Sequence, residues 1–252
     1  MTKTILIIIG IVGAMIIALI IMGYNYHHLY MARILIHNKD VNVRLFALAD
    51  LTELNDRESI PQIIKLLDDT DLEIRSSAAR ALGDLGAKES IPQITKLLED
   101  KNSMVRRNAT YALGKLGAKD AIPQITKLLE DTGWEVCMFA VRALGELGAK
   151  DAIPQLTKML DDKDWEIRSS AARALSDLGA KESIPQIIKL LNDVEWYVRG
   201  LAAISLVELG AKDKVTKEII NDIKRIRYNG SDKDEKRLQA ALKELGVPEN
   251  KK

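Results

Sequence analysis

The chain has 252 residues, of which 4% are aromatic and 29% are charged, and its formal net charge is +1 at pH 7. Lys3 is the only charged residue before Arg33, so the rest of the chain carries 36 basic and 36 acidic residues. This even balance gives no net field that would attract nucleic acid. A single cysteine, Cys137, excludes an internal disulfide.

The chain begins with an apolar run. Residues 4–23 read TILIIIGIVGAMIIALIIMG, without a charged residue or a proline. As a helix this run would be about 30 Å long, which is enough to cross the hydrocarbon core of a membrane. It is longer than the apolar part of a cleaved signal peptide, and it lacks the polar face of a buried core helix. We therefore expect a single-pass N-terminal membrane anchor in residues 1–24, with Tyr24, Tyr26 and Tyr30 at the interface.

The charges that flank this run indicate an orientation. Lys3 and the terminal amine precede it, whereas Arg33, Lys39 and Arg44 follow it. The slight excess of positive charge on the C-terminal side favours a cytoplasmic location for the rest of the chain. Because no proline lies between the run and His37, we also expect a short or stiff junction to the next helix.

An internal repeat follows, with a period of about 31 residues, which is typical of stacked helical units. Five prolines keep this period without a slip, each in a segment similar to SIPQITKLL: Pro61, Pro92, Pro123, Pro154 and Pro185. An alanine column and a leucine column, which begin at Ala47 and Leu54, keep the same period. Such units bury their apolar faces on one another. We predict an all-α, right-handed α-solenoid of about six helix pairs in residues 25–210.

One unit, residues 89–119, illustrates the expected pair of helices. A first helix is predicted from about Ser90 to Glu99, with a serine or acidic residue capping its free amides and proline in its first turn. A second helix is predicted from about Met104 to Lys115, ended by Gly117 in a left-handed cap.

The last unit departs from the period. Thr216 stands where proline is expected, and Leu209-Gly210 recurs as Leu245-Gly246 only after an interval longer than one period. We place the insertion between Tyr228 and Lys233, and we interpret residues 211–252 as a degenerate C-terminal capping repeat and tail.

The recurring pattern D-x-x-x-[IVM]-R-x-x-A-x-x-A-L-G-x-L-G-x-x-x-[AS]-I-P-Q-[IL] resembles the short HEAT repeat of phycobilisome lyase-like proteins, from Leu29 to about Gly210. The resemblance is specific for the fold and says little about function, because this repeat serves many unrelated tasks. We expect a membrane-anchored scaffold that binds a protein partner. The resemblance also leaves two enzymes as alternatives: a bilin lyase or isomerase subunit, and deoxyhypusine hydroxylase, whose repeats bind iron through His-Glu pairs. No histidine follows His37. We therefore expect no enzyme activity, catalytic residue, cofactor or metal.

One paired column predicts a structural ladder of aspartates and arginines that pair within and between units. Each aspartate lies six residues before its partner position: Asp69 and Arg75, Asp100 and Arg106, Asp131 and Cys137, Asp162 and Arg168, Asp193 and Arg199. On this interpretation the ladder breaks at Cys137 and leaves Asp131 without its partner. Cys137 as a nucleophile would need a base nearby, and His27, His28 and His37 are all far back in the chain.

The second helices are expected to line a concave surface that binds the partner. The predicted partner-binding residues are large or basic side chains at its exposed positions: Tyr111, Trp134, Met138, Phe139, Arg142, Trp165, Arg173 and Trp196. The three tryptophans keep the period of the repeat, and packing on the preceding turn is the alternative explanation for them. Further positions are expected to be exposed on the same surface: Ser76, Asn108, Ser169, Leu201 and Ile204.

A third alternative is contact of the C-terminal cap with nucleic acid or acidic lipid. Residues 212–227 contain six basic and three acidic side chains. A solvated helical face also explains this composition.

Overall fold

The computed structural model describes residues 27–226 and 232–247. The predicted anchor, its junction to the first repeat and most of the predicted insertion lie outside these residues. Within them, no helix combines the length and the apolar composition needed to cross a membrane.

The described residues form an all-helical array in which first and second helices alternate. The first helices are α1 (residues 27–35), α3 (Ile60–Lys65), α5 (Ile91–Lys96), α7 (Ile122–Lys127), α9 (Ile153–Lys158), α11 (Ile184–Lys189) and α13 (Lys217–Arg225). The second helices are α2 (Val41–Glu53), α4 (Leu72–Asp84), α6 (Ser103–Leu116), α8 (Trp134–Leu147), α10 (Trp165–Asp177), α12 (Trp196–Glu208) and α14 (Asp232–Glu244). The predicted solenoid of helix pairs is confirmed.

The first helices are short because 3₁₀ turns flank each α-helical segment from α3 to α11. In the third unit, the turns Lys88–Ser90 and Leu97–Glu99 enclose α5, whose second residue is proline. The prediction that Ser90 caps the amides of this helix is wrong. Its hydroxyl instead donates a hydrogen bond to the carbonyl of Ala87 at 2.6 Å. Because the preceding turn has already brought Ser90 into a helical conformation, its side chain is not placed to accept a helix amide.

The second helix of this unit, α6, ends in the predicted left-handed glycine cap and also has an N-cap. Asn102 accepts a hydrogen bond from the amide of Met104 at 2.9 Å, at the start of α6. Gly117 ends the helix with φ 69°, a left-handed conformation that glycine adopts without a steric penalty.

Successive second helices pack directly against one another from α4 to α12. Glycine makes this approach possible: a Cβ atom added to Gly83 would lie 2.7 Å from the Cα of Ala112, and one added to Gly145 would lie 2.9 Å from the Cα of Ala174. Each first helix from α3 to α11 packs mainly on the second helix of its own unit, whereas α13 packs mainly on α12 of the preceding unit. The more closely spaced second helices therefore form the inner layer of the array.

The aspartates and arginines of the ladder clamp one unit to the next at every described junction except the one at Cys137. The guanidinium of Arg106 donates to both carboxylate oxygens of Asp131, at 2.7 and 2.8 Å, and to the carbonyls of Asp100 and Lys101 in its own turn. Asp131 also accepts a hydrogen bond from the amide of Gly133, which closes the next turn. One ion pair thus holds two consecutive turns together.

The prediction allowed pairs within and between units, and the ladder ion pairs among the described residues are those between units. The carboxylate that each arginine binds lies in the following unit, in the pairs Arg44–Asp69, Arg75–Asp100, Arg106–Asp131, Arg168–Asp193 and Arg199–Asp222. The prediction that Asp131 lacks a partner is therefore wrong. Among the described residues, Asp162 is the ladder aspartate with no cation within 4 Å, because Cys137 occupies the position of its arginine.

This difference generates a matched pair of substitutions. We expect Asp131→Asn to lower the free energy of unfolding by about 2 kcal/mol, because it removes the charged acceptor of a largely buried arginine. Asp162→Asn, at a position without that arginine, should cost less than about 1 kcal/mol. Urea unfolding at pH 7 compares the two variants, and equal losses would contradict the clamp.

The same pairs predict how stability changes in acid. Burial alone would raise the pKa of Asp131, but hydrogen bonds from Arg106 and from the amide of Gly133 outweigh burial and lower the pKa below its ordinary value of 3.8. Hydrogen bonds likewise lower the pKa values of Asp100 and Asp193 against the effect of burial. Since the folded-state pKa is the lower one, the stabilisation is present above about pH 4 and is lost as the pH falls through the folded-state value.

Melting temperatures measured by circular dichroism between pH 7 and pH 2 test this dependence. The decline should begin below about pH 4 and should be shallower for Asp131→Asn than for the parent chain. An unchanged slope in the variant would show that this pair does not contribute to acid sensitivity.

Candidate partner-binding face

The second helices expose the side that faces away from the first helices, and we call this surface the inner face. Its residues come from the same positions of each second helix, so that side chains one period apart form rows across the array. The centre of the inner face belongs to α6 and α8, where Tyr111 and Phe139 are half-buried.

Two aromatic rings and four cations form the ring cluster at this centre. The rings of Tyr111 and Phe139 meet edge to face, with centroids 6.2 Å apart. The cations lie over these rings, Arg80 and Lys115 at 5.5 and 5.9 Å from the Tyr111 centroid, and Arg107 and Arg142 at 5.9 and 5.6 Å from the Phe139 centroid. Each such contact stabilises an exposed cation by about 0.5–1 kcal/mol, so the cluster holds its side chains in place before any partner binds.

Carboxylates balance part of this charge. Asp84 accepts a hydrogen bond from the Tyr111 hydroxyl at 2.7 Å and lies 3.8 Å from Arg80. Burial, followed by this hydrogen bond, raises the pKa of Tyr111 to about 12. Glu135 pairs with Arg107 at 2.7 Å. Arg80, Lys115 and Arg142 are exposed, and among the described residues Arg142 is the one of these three with no carboxylate within ion-pair distance.

The three tryptophans have different surroundings. Trp134 and Trp165 are 46% and 39% exposed, so each is partly packed and keeps part of its side chain in contact with solvent. Trp165 meets the ring of Tyr197 edge to face at 5.5 Å. Trp196 is half-buried, and the guanidinium of Arg225 lies 4.4 Å from its ring centroid. The last tryptophan of the row thus packs against the C-terminal cap, whereas the first two are open to a partner.

The remaining predicted partner-binding residues are less open. Met138 is half-buried and packs against the core. Arg173 is half-buried and is already engaged in an interaction.

Several positions that the sequence pattern predicts to be exposed are buried. They share an orientation toward a neighbouring helix and comprise Ser76, Asn108, Ser169, Leu201 and Ile204. Asn108, for example, donates to the hydroxyl of Ser76 at 2.7 Å. The expectation is wrong because second helices pack so closely that the positions beside the exposed row face the adjacent unit.

The structure also contains a groove that was not predicted from the sequence. A groove of about 560 Å³ lies between α2 and α4, lined mainly by Leu45, Leu48, Ala49, Thr52, Ser77 and Ala81. Thr52 occupies the position that Gly83, Gly114 and Gly145 hold at the next three junctions, so its side chain keeps α2 from approaching α4 as closely. Phe46 offered a signal in the sequence, because it lies three periods before Phe139. It is 61% exposed at this end of the inner face.

Cys137 is buried at the ladder position that lacks an arginine, and its sulfur lies 3.3 Å from the carbonyl oxygen of Leu129. Burial, followed by the charge of Asp162, raises the pKa of the thiol to about 11. This environment disfavours the thiolate that a nucleophile requires. No group of three or more histidine, cysteine, aspartate or glutamate side chains among the described residues is placed to hold a metal ion.

Comparisons with known proteins agree with this architecture. The family described as HEAT repeats matches residues 31–103, 73–138, 91–176 and 126–207. A comparison with curated proteins finds no match.

Solved structures show the same fold at low identity. The complex of CpcE and CpcF of phycocyanin lyase from Nostoc sp. PCC7120 matches with a TM-score of 0.60 and 24% identity, over 86% of this chain and 94% of that chain. An engineered protein matches with a TM-score of 0.55 and 25% identity, over 73% and 97%. A designed armadillo repeat protein in complex with the peptide (KR)4 matches with a TM-score of 0.54 and 21% identity, over 71% and 98%.

The environment of Cys137 yields a prediction about its reactivity. At pH 8, where a thiol with a pKa of about 11 is almost wholly protonated, we expect Ellman's reagent to modify the folded chain at least about tenfold more slowly than the urea-unfolded chain. Equal rates in the two states would contradict the burial of the thiol and would reopen a nucleophilic role.

Proposed function

The chain belongs to the family of HEAT-repeat proteins, and from that premise we propose that it is a membrane-tethered scaffold that binds a protein partner on its inner face. The observation that carries the proposal is the ring cluster, in which the exposed cation Arg142 lies over the half-buried ring of Phe139. Aromatic and arginine side chains in a positioned cluster are the residue types enriched at binding hot spots.

The solved relatives support the same mode of action without identifying the partner. CpcE and CpcF form a complex with each other, and the designed armadillo protein binds a peptide. Repeat arrays of this kind therefore use their long surfaces for protein or peptide ligands. At 24% identity, the similarity to a phycocyanin lyase supports a shared fold but not a shared activity.

The membrane tether rests on the uncharged apolar run of residues 4–23. An anchored array meets a membrane-bound partner at a raised effective concentration, so a modest affinity is enough for function. The excess of positive charge after the run places the array in the cytoplasm in this proposal.

Contact of the C-terminal cap with nucleic acid or acidic lipid receives less support. Arg225 lies over Trp196 and pairs with Asp222 at 3.6 Å, so part of the basic surface is used within the fold. Binding through this surface would fall steeply with added salt, whereas binding through the ring cluster would depend less on salt.

Substitutions in the ring cluster test the proposal. Phe139→Ser installs the residue that Ser170 provides one unit later, so the fold has a precedent for it. Since burying a large apolar side chain is favourable by about 1.5–3 kcal/mol, we expect partner capture to fall at least about tenfold. The measurement is a cross-linking pull-down from native membranes, with Met138→Ser/Phe139→Ser as a second variant and melting curves as the check on folding.

Val194→Ser is the matched control, because Val194 is 87% exposed and lies in a turn outside the ring cluster. A protein that is lost with Phe139→Ser and retained with Val194→Ser would be identified as the partner. Equal capture by all variants would contradict binding at the ring cluster.

A further inference from the structure

The first helix of the array carries an unusual outer surface. Tyr30, Met31 and Ile34 of α1 occupy the positions that hold proline, glutamine and lysine in each of the next five units, for example Pro61 and Lys65 in the second unit. The proline and lysine of all five units are exposed. In the first unit all three positions hold large side chains, whereas units two to six hold proline, glutamine and lysine there and the seventh unit holds Thr216, Lys217 and Ile220. We call Tyr30, Met31 and Ile34 the outer stripe.

The outer stripe is exposed in the structure. Tyr30, Met31 and Ile34 are 56%, 37% and 51% exposed. The opposite side of α1 is packed, with Ala32 and Ile36 each 1% exposed. The helix therefore has two apolar sides, one that faces the core and one that faces outward.

Arg33 fixes the rotation of α1. Its guanidinium donates to both carboxylate oxygens of Asp56, at 2.8 and 2.6 Å, and lies 2.8 Å from Glu58. Asp56 is 6% exposed and also accepts a hydrogen bond from the hydroxyl of Ser59. Turning the outer stripe inward would separate Arg33 from Asp56 and leave the buried carboxylate without its charged partner, which is unfavourable. Among the described residues the stripe is exposed, so any further apolar contact comes from outside the described array.

The length of the preceding chain restricts what those contacts are. Three residues, 24–26, lie between the apolar run of residues 4–23 and His27, the first residue of α1 that the structure describes. Three residues span at most about 11 Å even when fully extended. If the run crosses a bilayer, His27 lies within the headgroup layer, where tyrosine and apolar side chains with adjacent basic groups are favoured.

We propose that α1 lies along the membrane surface with its outer stripe, Tyr30, Met31 and Ile34, at the boundary between lipid headgroups and acyl chains. The first repeat then docks on the bilayer and sets one orientation for the whole array. This inference rests on the proposed membrane anchor, but it makes a separate statement about a helix of the folded array.

Depth measurements in liposomes test the proposal with the full-length chain. Single cysteines are introduced in a Cys137→Ala background by Ile34→Cys and, as a matched control in the same column four units later, by Lys158→Cys. Each is labelled with an environment-sensitive fluorophore, and the chain is reconstituted into phosphatidylcholine and phosphatidylglycerol vesicles. We expect lipid-attached nitroxides to quench the label at position 34 at least roughly threefold more strongly than the label at position 158.

The outcomes separate this inference from the proposed function. If the chain floats with the vesicles but both labels are quenched equally weakly, the surface docking is wrong and the anchor stands. If the chain does not float, both proposals fail. If the label at position 34 is shielded from water without lipid quenching, and cysteines at that position cross-link two chains, the stripe binds a second copy and the lipid contact is overturned.

A second variant checks that the stripe itself is responsible. Met31→Gln/Ile34→Lys restores the residues of the following units, so the fold has a precedent for both changes. We expect the variant to melt like the parent and to remain anchored, while a label introduced by Tyr30→Cys loses most of its lipid quenching. Unchanged quenching in this variant would overturn the assignment of the stripe as the docking surface.

Discussion

The arginine that reaches forward to an aspartate of the next unit is the interaction on which the order of this array depends. A single guanidinium binds the two carbonyls of its own turn and the carboxylate of the following turn, as Arg75 does with Asp69, Thr70 and Asp100. The clamp ties the N-terminal end of a second helix to the following turn. Together with the close packing of second helices, it keeps equivalent side chains in rows across the inner face.

The one described junction without a clamp lies beside the ring cluster. Cys137 and Phe139 are both in α8, and Asp162 at the next turn has no arginine to bind. Close packing still holds the junction together, because Gly145 lets α8 approach Ala174 of α10. Stability in a repeat array is approximately a sum over units and their interfaces, so the loss of one clamp weakens one interface while the others keep theirs. The unit that contributes the ring of Phe139 to the candidate site thus relies on helix packing more than its neighbours do.

The sequence determined the fold through its period, since five prolines and two apolar columns leave little choice of architecture. Spacing along the chain could not decide which aspartate an arginine binds. Asp69 lies six residues before Arg75, but the carboxylate that Arg75 binds belongs to Asp100, 25 residues after it. Exposure along the second helices was also misjudged for residues such as Ser76 and Asn108, because the pattern does not reveal how closely glycine lets two helices approach. The ring cluster was partly foreseen in Phe139 and Arg142, whereas the contributions of Asp84 and Lys115 depend on contacts between units.

The outer stripe and the ring cluster belong to different layers of the array, and this separation makes them compatible. The outer stripe lies on the first helix of the first unit, whereas the ring cluster lies on the second helices α4, α6 and α8 of the second to fourth units. Contact of α1 with a membrane would therefore leave Tyr111 and Phe139 accessible. Because the clamps hold the units in a fixed register, an orientation imposed on the first unit is passed to the inner face. A short interfacial helix can thus orient a binding surface that it does not touch.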